Sequence, residues 1–330
     1  MKRTLFLLVL MFLSSIGDLS SSGHNVATRP PLLKKKDKVA IVAPASGLKD
    51  PKNVIEKATE LFQSWGLEVV VGKYVSVDSC NAFAGSDVQR TEDLQRALDD
   101  PTIKAIFSLR GGYGTTRIID QLDFTRFLRN PKWVIGFSDI TTLHIRLHNL
   151  GVASVHGAMP LLFSSPQHRA SIDSLRTLLF KGTAHLETSS HALNRLGSVT
   201  APVVGGNLTL ICNNMETPSA LDTKNKILVI EDVGGHLYAL DRIMVQLKRA
   251  GKLQDLAGLV VGKMVHMKDL LSLPMNKSAE AIIKEHVASY NYPVAFQFPV
   301  AHQAPNLAFP HGGIGTLCVS NDKVSLIFEK

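Results

Sequence analysis

From residue 38 onward, short apolar runs alternate with amphipathic stretches. The runs Lys38–Ala43 and Lys104–Leu109 are almost wholly apolar, which is typical of strands buried on both faces. Between them, the apolar residues of Pro51–Trp65 recur at helical spacing, and Gly66 follows as a stop signal. The same reasoning predicts strands at Leu67–Val71, Trp133–Phe137 and Val152–His156, and helices at Asp87–Leu98, Thr115–Leu122 and Ile140–Leu150.

Strands that alternate with helices predict an α/β fold with a parallel, doubly wound sheet in the first half of the chain. In such sheets ligands bind at the carboxyl ends of the strands. Two features fall at those ends, the glycine-rich turn Gly111–Gly114 and Ser138. This edge of the sheet is therefore the first place to look for chemistry.

The pattern changes after Pro160 and predicts a second, mixed α/β domain. A helix near Ser171–Phe180 is followed by a polar connection, and the final strand Lys323–Phe328 follows a Ser-Asn-Asp turn that suits a hairpin. We therefore divide the chain into an N-terminal α/β domain at 38–165, a connection at 166–194 and a C-terminal domain at 195–330. The other elements predicted here are strands at Val199–Val204, Lys226–Ile230 and Leu256–Val261, and a helix at His236–Ala250.

The first 17 residues have the pattern of a signal peptide. Lys2 and Arg3 precede the apolar run Leu5–Leu13, and small residues follow it. The run is too short to span a bilayer as a helix, so we expect cleavage, export to the periplasm or beyond, and no stable membrane insertion afterwards. The alternative is an uncleaved N-terminal anchor. Residues 18–37, rich in Ser, Pro and Lys, are interpreted as a linker.

Composition excludes several classes of protein. Of 330 residues, 45% are hydrophobic and 19% charged, which is typical of a globular chain and not of a disordered one. The net charge is +8, but the positive residues are dispersed and no nucleic-acid-binding motif accompanies them, so we expect no nucleic-acid partner. The three cysteines, Cys80, Cys212 and Cys318, are too few for a disulfide scaffold or a thiolate zinc site. His144 and His148 lack the Glu of a zinc-peptidase helix and are interpreted as structural.

Ser138 is the first candidate for chemistry. It follows a strand and precedes a helix, so its hydroxyl would stand above the sheet edge, where free helix amides favour negative charge. The alternative role is a helix N-cap, for which serine is a preferred residue. The turn Arg110–Gly114 could present backbone amides to an anion, or it could simply be a tight connection.

The second half of the chain offers two further candidates. Glu231 and Asp232 follow the apolar run Ile227–Ile230, where buried acids are costly unless they have partners. They could instead cap the helix that begins near His236. His302 follows another apolar stretch, and a single histidine is more often structural than catalytic.

Several ordered motifs resemble the LD-carboxypeptidases, the serine peptidase family that includes muramoyltetrapeptide carboxypeptidase and the microcin C immunity peptidase. The similarity runs from Lys38 to the C-terminus. The motifs are VAIVAPAS (39–46), FAGSDVQRTEDLQRAL (83–98), IFSLRGGYGTTR (106–117), IGFSDITTLH (135–144), HGAMP (156–160), GGNLTLI (205–211), ILVIEDVGG (227–235), LDRIMVQLKRAG (240–251) and AHQAPN (301–306).

The resemblance implies a Ser-His-Glu triad of Ser138, His302 and Glu231 between the two domains. Backbone amides of Gly112 and Asp139 would bind the oxyanion. The implied reaction is release of the terminal D-alanine from a peptidoglycan tetrapeptide, with no cofactor and no metal. The resemblance also implies a homodimer. The alternatives are an immunity-type peptidase that cuts a peptidyl-nucleotide or acyl-amino-acid amide, and a non-enzymatic periplasmic ligand-binding protein.

An exopeptidase must also bind the carboxylate at the chain end, and a guanidinium suits this task. Arg110 and Arg117 flank the glycine-rich turn and are the candidates, unless either is paired with a surface acid. The chain departs from the family pattern at three positions: Ala301 replaces a glycine, Ala158 replaces a proline, and Gly235 replaces an acid found in many members. None of these changes removes a triad residue, so we expect an active enzyme.

Overall fold

The computed structural model describes residues 27–76 and 82–330. The predicted signal peptide and Cys80 lie outside the described residues. In the first half, the elements are β1 (Lys38–Val42), α1 (Pro51–Ser64), β2 (Glu68–Val71), α2 (Asp87–Asp99), β3 (Ile103–Ser108), α3 (Thr115–Ile118), α4 (Thr125–Arg129), β4 (Trp133–Gly136), α5 (Thr141–Asn149) and β5 (Ser154–His156). In the second half they are α6 (Arg169–Lys181), β6 (Ala184–Ser189), β7 (Gly197–Asn207), α7 (Leu208–Asn213), β8 (Ile227–Val233), α8 (Leu237–Arg249), β9 (Gly258–Val265), α9 (Ala279–His286), β10 (Val294–Ala295), β11 (Phe309–His311), β12 (Ile314–Val319) and β13 (Lys323–Phe328).

Local sequence signals explain where several helices begin and end. Asp50 caps α1, which starts at a proline whose missing N–H costs nothing in the first turn. Ser86 and Gln89 form a reciprocal capping box at the start of α2. Gly182, in the left-handed conformation, ends α6.

The first sheet has the strand order β11-β5-β4-β3-β1-β2. Strands β1 to β5 are parallel, and helices cover both faces, since α1 packs on one buried cluster while α2 and α5 pack on the other. The predicted doubly wound α/β domain is confirmed. Because the chain order reverses beside β1, the turns after β1 and β3 form the crevice in which such folds bind ligands.

The second sheet has the order β10-β9-β8-β7-β12-β13-β6 and is mixed, as predicted. The pairs from β10 to β7 are parallel, whereas those from β7 through β12 and β13 to β6 are antiparallel. The largest buried cluster joins the two sheets, since it includes Phe107 and Ile135 of the first and Val229 and Phe328 of the second. The two domains therefore share a core at their boundary.

Three features correct the predicted domain limits. The connection at 166–194 contains β6, which pairs with β13 and belongs to the second sheet. Conversely, β11 lies within the predicted C-terminal domain but pairs antiparallel with β5 of the first sheet. Its sequence, Phe-Pro-His, is too short to show a strand period, and a proline suits only a sheet edge.

The third correction concerns the predicted linker at 18–37. Within its described part, Ala27 and Leu33 are buried, and Leu33 donates a backbone hydrogen bond to Leu179. Arg29 donates to the carbonyls of Gly182 and Glu329. Residues 27–37 therefore form a strap packed on the fold. Their composition, which is typical of a linker, gave no indication of this packing. Across residues 27–76 and 82–330, no helix has both the length and the apolar character needed to cross a bilayer.

Candidate active site

Ser138 stands at the turn between β4 and α5 in a left-handed conformation, with φ of 64°. This region is costly for a residue with a side chain and is found where the surrounding structure holds a functional group in place. Gly136 makes the turn possible, because a Cβ there would lie 2.8 Å from the Ile140 side chain. The Ser138 hydroxyl does not cap α5, whose preceding residue makes no side-chain cap. It is free for another partner.

That partner is His302. Its Nε2 lies 2.8 Å from Ser138 Oγ, and its Nδ1 lies 2.6 Å from Glu231 Oε2. The Glu231 carboxylate is fully buried and the imidazole is 16% exposed. Phe137 packs its ring edge-on against the imidazole, with centroids 5.1 Å apart. Three residues that are 71 and 164 positions apart in sequence thus form one hydrogen-bonded chain.

The two acids of β8 have different environments. The strand continues through Val233, so both acids lie within it and neither caps α8, which begins after His236 without a side-chain cap. Glu231 faces His302. Asp232 instead accepts hydrogen bonds from Thr209 and from Asn207, whose Nδ2 also lies 3.5 Å from Glu231 Oε1. Asp232 therefore anchors the start of α7.

The glycine-rich turn packs directly on Ser138. A Cβ on Gly111 would lie 2.9 Å from that of Ser138, and one on Gly112, where φ is 109°, would lie 2.3 Å from Ser46 Oγ. Only glycine permits this approach. Among the described residues, the backbone amides of Gly112 and Asp139 have no protein acceptor. Both amides are thus available to a bound oxygen.

Two side chains that the sequence analysis did not single out hold this arrangement together. The Asp139 carboxylate accepts a 2.8 Å hydrogen bond from the Thr115 amide, which ties the Ser138 turn to the end of the glycine-rich turn. Arg90, also fully buried, donates to the carbonyls of Pro44 and Gly114 and pairs with Asp87. Burial raises the pKa of the Asp139 carboxyl, and the bond from Thr115 opposes that rise. The sequence does contain a signal for Arg90, because it is a charged residue at a position of α2 that faces the core.

The two candidate arginines are both engaged by protein groups. Arg117 forms a two-armed ion pair with Asp87, at 2.7 and 3.0 Å, which is the alternative considered for it. Arg110 donates to the carbonyls of Gly47 and Gly111 at the rim of the turn. Of the two, only Arg110 is without an acidic partner in the described part of the chain.

His144 has a structural position, as the sequence analysis expected. Its ring lies between the Gly136 carbonyl, at 2.9 Å from Nε2, and the Ser154 hydroxyl, at 2.8 Å from Nδ1, and so braces the strand that leads to Ser138. Burial lowers the pKa of His144 to about 4, which keeps the ring neutral. Across residues 27–76 and 82–330, no group of His, Cys, Asp and Glu side chains has an arrangement that suits a metal ion.

The three departures from the family pattern have different surroundings. Ala301 is fully buried beside His302, and its amide donates to Asn306 Oδ1. Ala158 is buried after β5. Gly235 lies in the turn after β8 with φ of 84°, and a Cβ there would meet no atom within 4 Å. The acid missing at Gly235 therefore leaves open space.

Two family models match the chain: the LD-carboxypeptidase N-terminal domain at residues 39–157 and the LD-carboxypeptidase C-terminal domain at residues 200–317. A probable murein peptide carboxypeptidase of Bacillus subtilis is 34% identical over 86% of this chain and 89% of its own length. The murein tetrapeptide carboxypeptidase of Pseudomonas aeruginosa is 32% identical over 85% and 92%.

Solved structures agree in fold. The crystal structure of muramoyltetrapeptide carboxypeptidase from Oxalobacter formigenes superposes with a TM-score of 0.80 at 26% identity, and covers 89% of this chain and 99% of its own. The microcin C7 self-immunity protein MccF, in complex with aspartyl sulfamoyl adenosine, gives 0.81 over 91% of this chain and 98% of its own, but at 20% identity it shows the fold alone. Because both family models match in chain order and the relatives align over nearly their whole lengths, the chain belongs to the LD-carboxypeptidase family and is a serine-type carboxypeptidase.

Proposed function

We propose that this carboxypeptidase releases the terminal D-alanine from peptidoglycan tetrapeptides by means of a Ser138-His302-Glu231 triad. The observation that carries the proposal is the pair of hydrogen bonds that joins these side chains across the domain boundary. The names of the relatives from Bacillus subtilis and Pseudomonas aeruginosa, which refer to murein peptides, support the substrate class.

The geometry suits acyl transfer by a serine nucleophile. His302 Nε2 accepts the Ser138 proton while Oγ attacks the carbonyl carbon of the bond before D-alanine. Glu231, buried and bonded to Nδ1, fixes the tautomer and stabilises the imidazolium. The imidazolium then gives its proton to the departing D-alanine amine, and water, activated by the same histidine, releases the acyl group from Ser138.

We further propose that the amides of Gly112 and Asp139 bind the oxyanion of the tetrahedral intermediate. Gly112 stands beside Ser138 because Gly111 packs against it, and Asp139 follows Ser138 in the chain. Two preorganised donors in a partly enclosed site are each worth about 10²- to 10³-fold in turnover. The side chains of Asp139 and Arg90 support this function, since they fix the position of the glycine-rich turn relative to the Ser138 turn.

Purified protein, a tetrapeptide substrate and a measurement of free D-alanine test the proposal. Ser138→Ala should remain folded and lose on the order of 10⁴-fold in turnover, because only binding and oxyanion stabilisation remain. Retention of more than about a tenth of the activity contradicts the nucleophile assignment. If the L-alanine peptide or a peptidyl-nucleotide is the better substrate, the immunity-type activity replaces the proposed one.

The neighbouring acids of β8 provide a matched pair for the triad. Glu231→Gln should lower turnover severely, because it removes the charge that stabilises the imidazolium. Asp232→Asn should act mainly on stability, since its partners are Thr209 and Asn207. A larger loss of turnover in Asp232→Asn than in Glu231→Gln would show that Asp232, and not Glu231, is the triad acid.

Export and dimerisation also remain proposals. We propose removal of roughly the first 17 to 23 residues on export. N-terminal sequencing of protein from the native host tests this, and an intact Met1 or Lys2 would favour an anchor instead. The homodimer implied by the family resemblance is testable by light scattering of the purified chain.

A further inference from the structure

Strand β9 contains a bulge opposite the triad acid. In the register of β8 with β9, Ile230 pairs with Val261 and Asp232 pairs with Met264. One residue of β8, Glu231, is therefore opposed by two residues of β9, Gly262 and Lys263. Bulges of this kind redirect a side chain and are common beside active sites.

The buried clusters show which face the extra residue takes. Val261 lies in the same core cluster as Ile230, and Met264 packs against that cluster. Both residues between them are thus on the opposite face, which is the face of Glu231. Gly262 confirms this direction, because a Cβ there would lie 3.1 Å from the Glu231 Cβ. Without the bulge, the side chain after Gly262 would point away from the triad.

Lys263 also adjoins the histidine segment. Its backbone amide donates to the Val300 carbonyl at 3.2 Å, two residues before His302. The side chain is partly buried, and within the described residues it forms no ion pair and no hydrogen bond. A flexible four-carbon stem carries its charge several ångströms from the backbone. Its ammonium group is therefore free to pair with an anion that a ligand supplies.

We propose that Lys263 binds the terminal α-carboxylate of the peptide substrate and thereby restricts the enzyme to chain ends. This inference rests on the proposed LD-carboxypeptidase function. It assigns the carboxylate to a residue other than the arginines that the sequence suggested: Arg117 is neutralised by Asp87, and Arg110 is held by two backbone carbonyls. Lys263 lies on the triad face of β9 and has no acidic partner among the described residues.

The test measures kcat/KM for the tetrapeptide and for its C-terminal amide with the wild type and with Lys263→Met. Loss of one charge-assisted contact should lower the value for the free acid by about 10- to 100-fold and that for the amide by less than about threefold. Lys263→Arg, which keeps the charge, should retain most of the preference for the acid. Lys268→Met, an exposed lysine on the following loop, is the matched control and should leave the preference unchanged.

The outcomes separate this proposal from the function on which it rests. If the wild type releases D-alanine and Lys263→Met keeps the full preference for the acid, Lys263 is a solvated lysine and the proposal is wrong. If Arg110→Met removes the preference and Lys263→Met does not, the carboxylate belongs to Arg110. A wild type that releases no D-alanine from either peptide overturns the proposed function, and the carboxylate role with it.

Discussion

Buried histidines near the boundary of the two domains should make this protein sensitive to mild acid. His144, His156 and His311 are fully buried. Burial lowers the pKa of His144 to about 4 and of His156 to about 3, and it holds the pKa of His311 well below its usual range. Because the folded state resists protonation, the unfolded state takes up protons first as the pH falls below about 6.5. The stability held by these residues is therefore complete above that pH and declines towards their folded pKa values.

The magnitude follows from proton linkage. Each group whose pKa is strongly lowered on folding costs about 1.4 kcal/mol per pH unit below 6.5, or about 2 kcal/mol at pH 5. Three such groups give about 6 kcal/mol, which is comparable with the whole stability of many domains. Carboxylates such as Asp87, whose pKa the Arg117 bond lowers, change charge below this window and contribute little to it.

His311→Leu isolates one of these groups. Neither ring nitrogen of His311 has a hydrogen-bond partner among the described residues, so a leucine of similar volume removes the titrating group without breaking a bond. We expect unchanged or higher stability at pH 7.5, and a loss between pH 7.5 and pH 5 that is smaller than in the wild type by about 2 kcal/mol.

Urea unfolding at both pH values, followed by tryptophan fluorescence, measures this difference. His185→Gln is the control, because the His185 side chain is 60% exposed and does not belong to the buried group. It should leave the acid-induced loss within about 0.5 kcal/mol of the wild type. If His311→Leu loses as much stability in acid as the wild type does, His311 is not held neutral by burial, and the reasoning fails.

Substitutions at three further residues test the surroundings of the proposed active site. Asp139→Ala should lower kcat by about 10- to 100-fold with KM nearly unchanged. Asp139→Asn can still accept the hydrogen bond from Thr115 and should retain most activity. Steady-state kinetics that find both variants equally impaired would contradict this prediction. Arg90→Met should lower the free energy of unfolding by about 3–5 kcal/mol in urea titrations, since it leaves two carbonyls and Asp87 without their partner, and a loss below about 1 kcal/mol would show that Arg90 is not an anchor. Arg117→Gln should change kcat/KM for the tetrapeptide by less than about threefold because Asp87 already occupies the guanidinium, and a loss of 30-fold or more would make it a substrate ligand.

The parallel strands of the first domain could be predicted because a strand buried on both faces leaves an unbroken apolar run. Strands β6 and β11 could not. Strand β6, Ala184–Ser189, alternates buried and exposed residues in a polar stretch, and β11 has three residues with a proline in the middle. The packed strap at residues 27–37 has the composition of a linker, and its backbone hydrogen bonds to Gly66, Gly151 and Leu179 are invisible to composition.

The site, like the fold, has a part that the sequence predicts and a part that it does not. The positions of the proposed triad residues came from motifs, and the residues alone left a capping serine and a capping acid as alternatives. What decides between them is tertiary: the left-handed turn that turns Ser138 away from a capping role, and the register that puts Glu231 on the His302 face of β8. The supporting contacts of Arg90 and Asp139 join segments 24 to 46 residues apart, and no local pattern shows which backbone groups they would meet.

The segment that carries His302 makes contacts with both domains. His302 lies in the half of the chain that builds the second sheet, but the segment after it leaves that sheet. Asn306 accepts a hydrogen bond from Ala301 and contacts His156 of β5, and its own amide donates to Ser171 of α6. The chain then adds β11 to the first sheet, the same sheet from which Ser138 projects. His302 is therefore held from both sheets: the residues before it bond to β9 of the second sheet through Val300, and the residues after it bond to the first domain through Asn306 and β11. Because Ser138 projects from the first sheet and Glu231 from the second, a small shift between the domains would disturb the bonds of His302 to both residues.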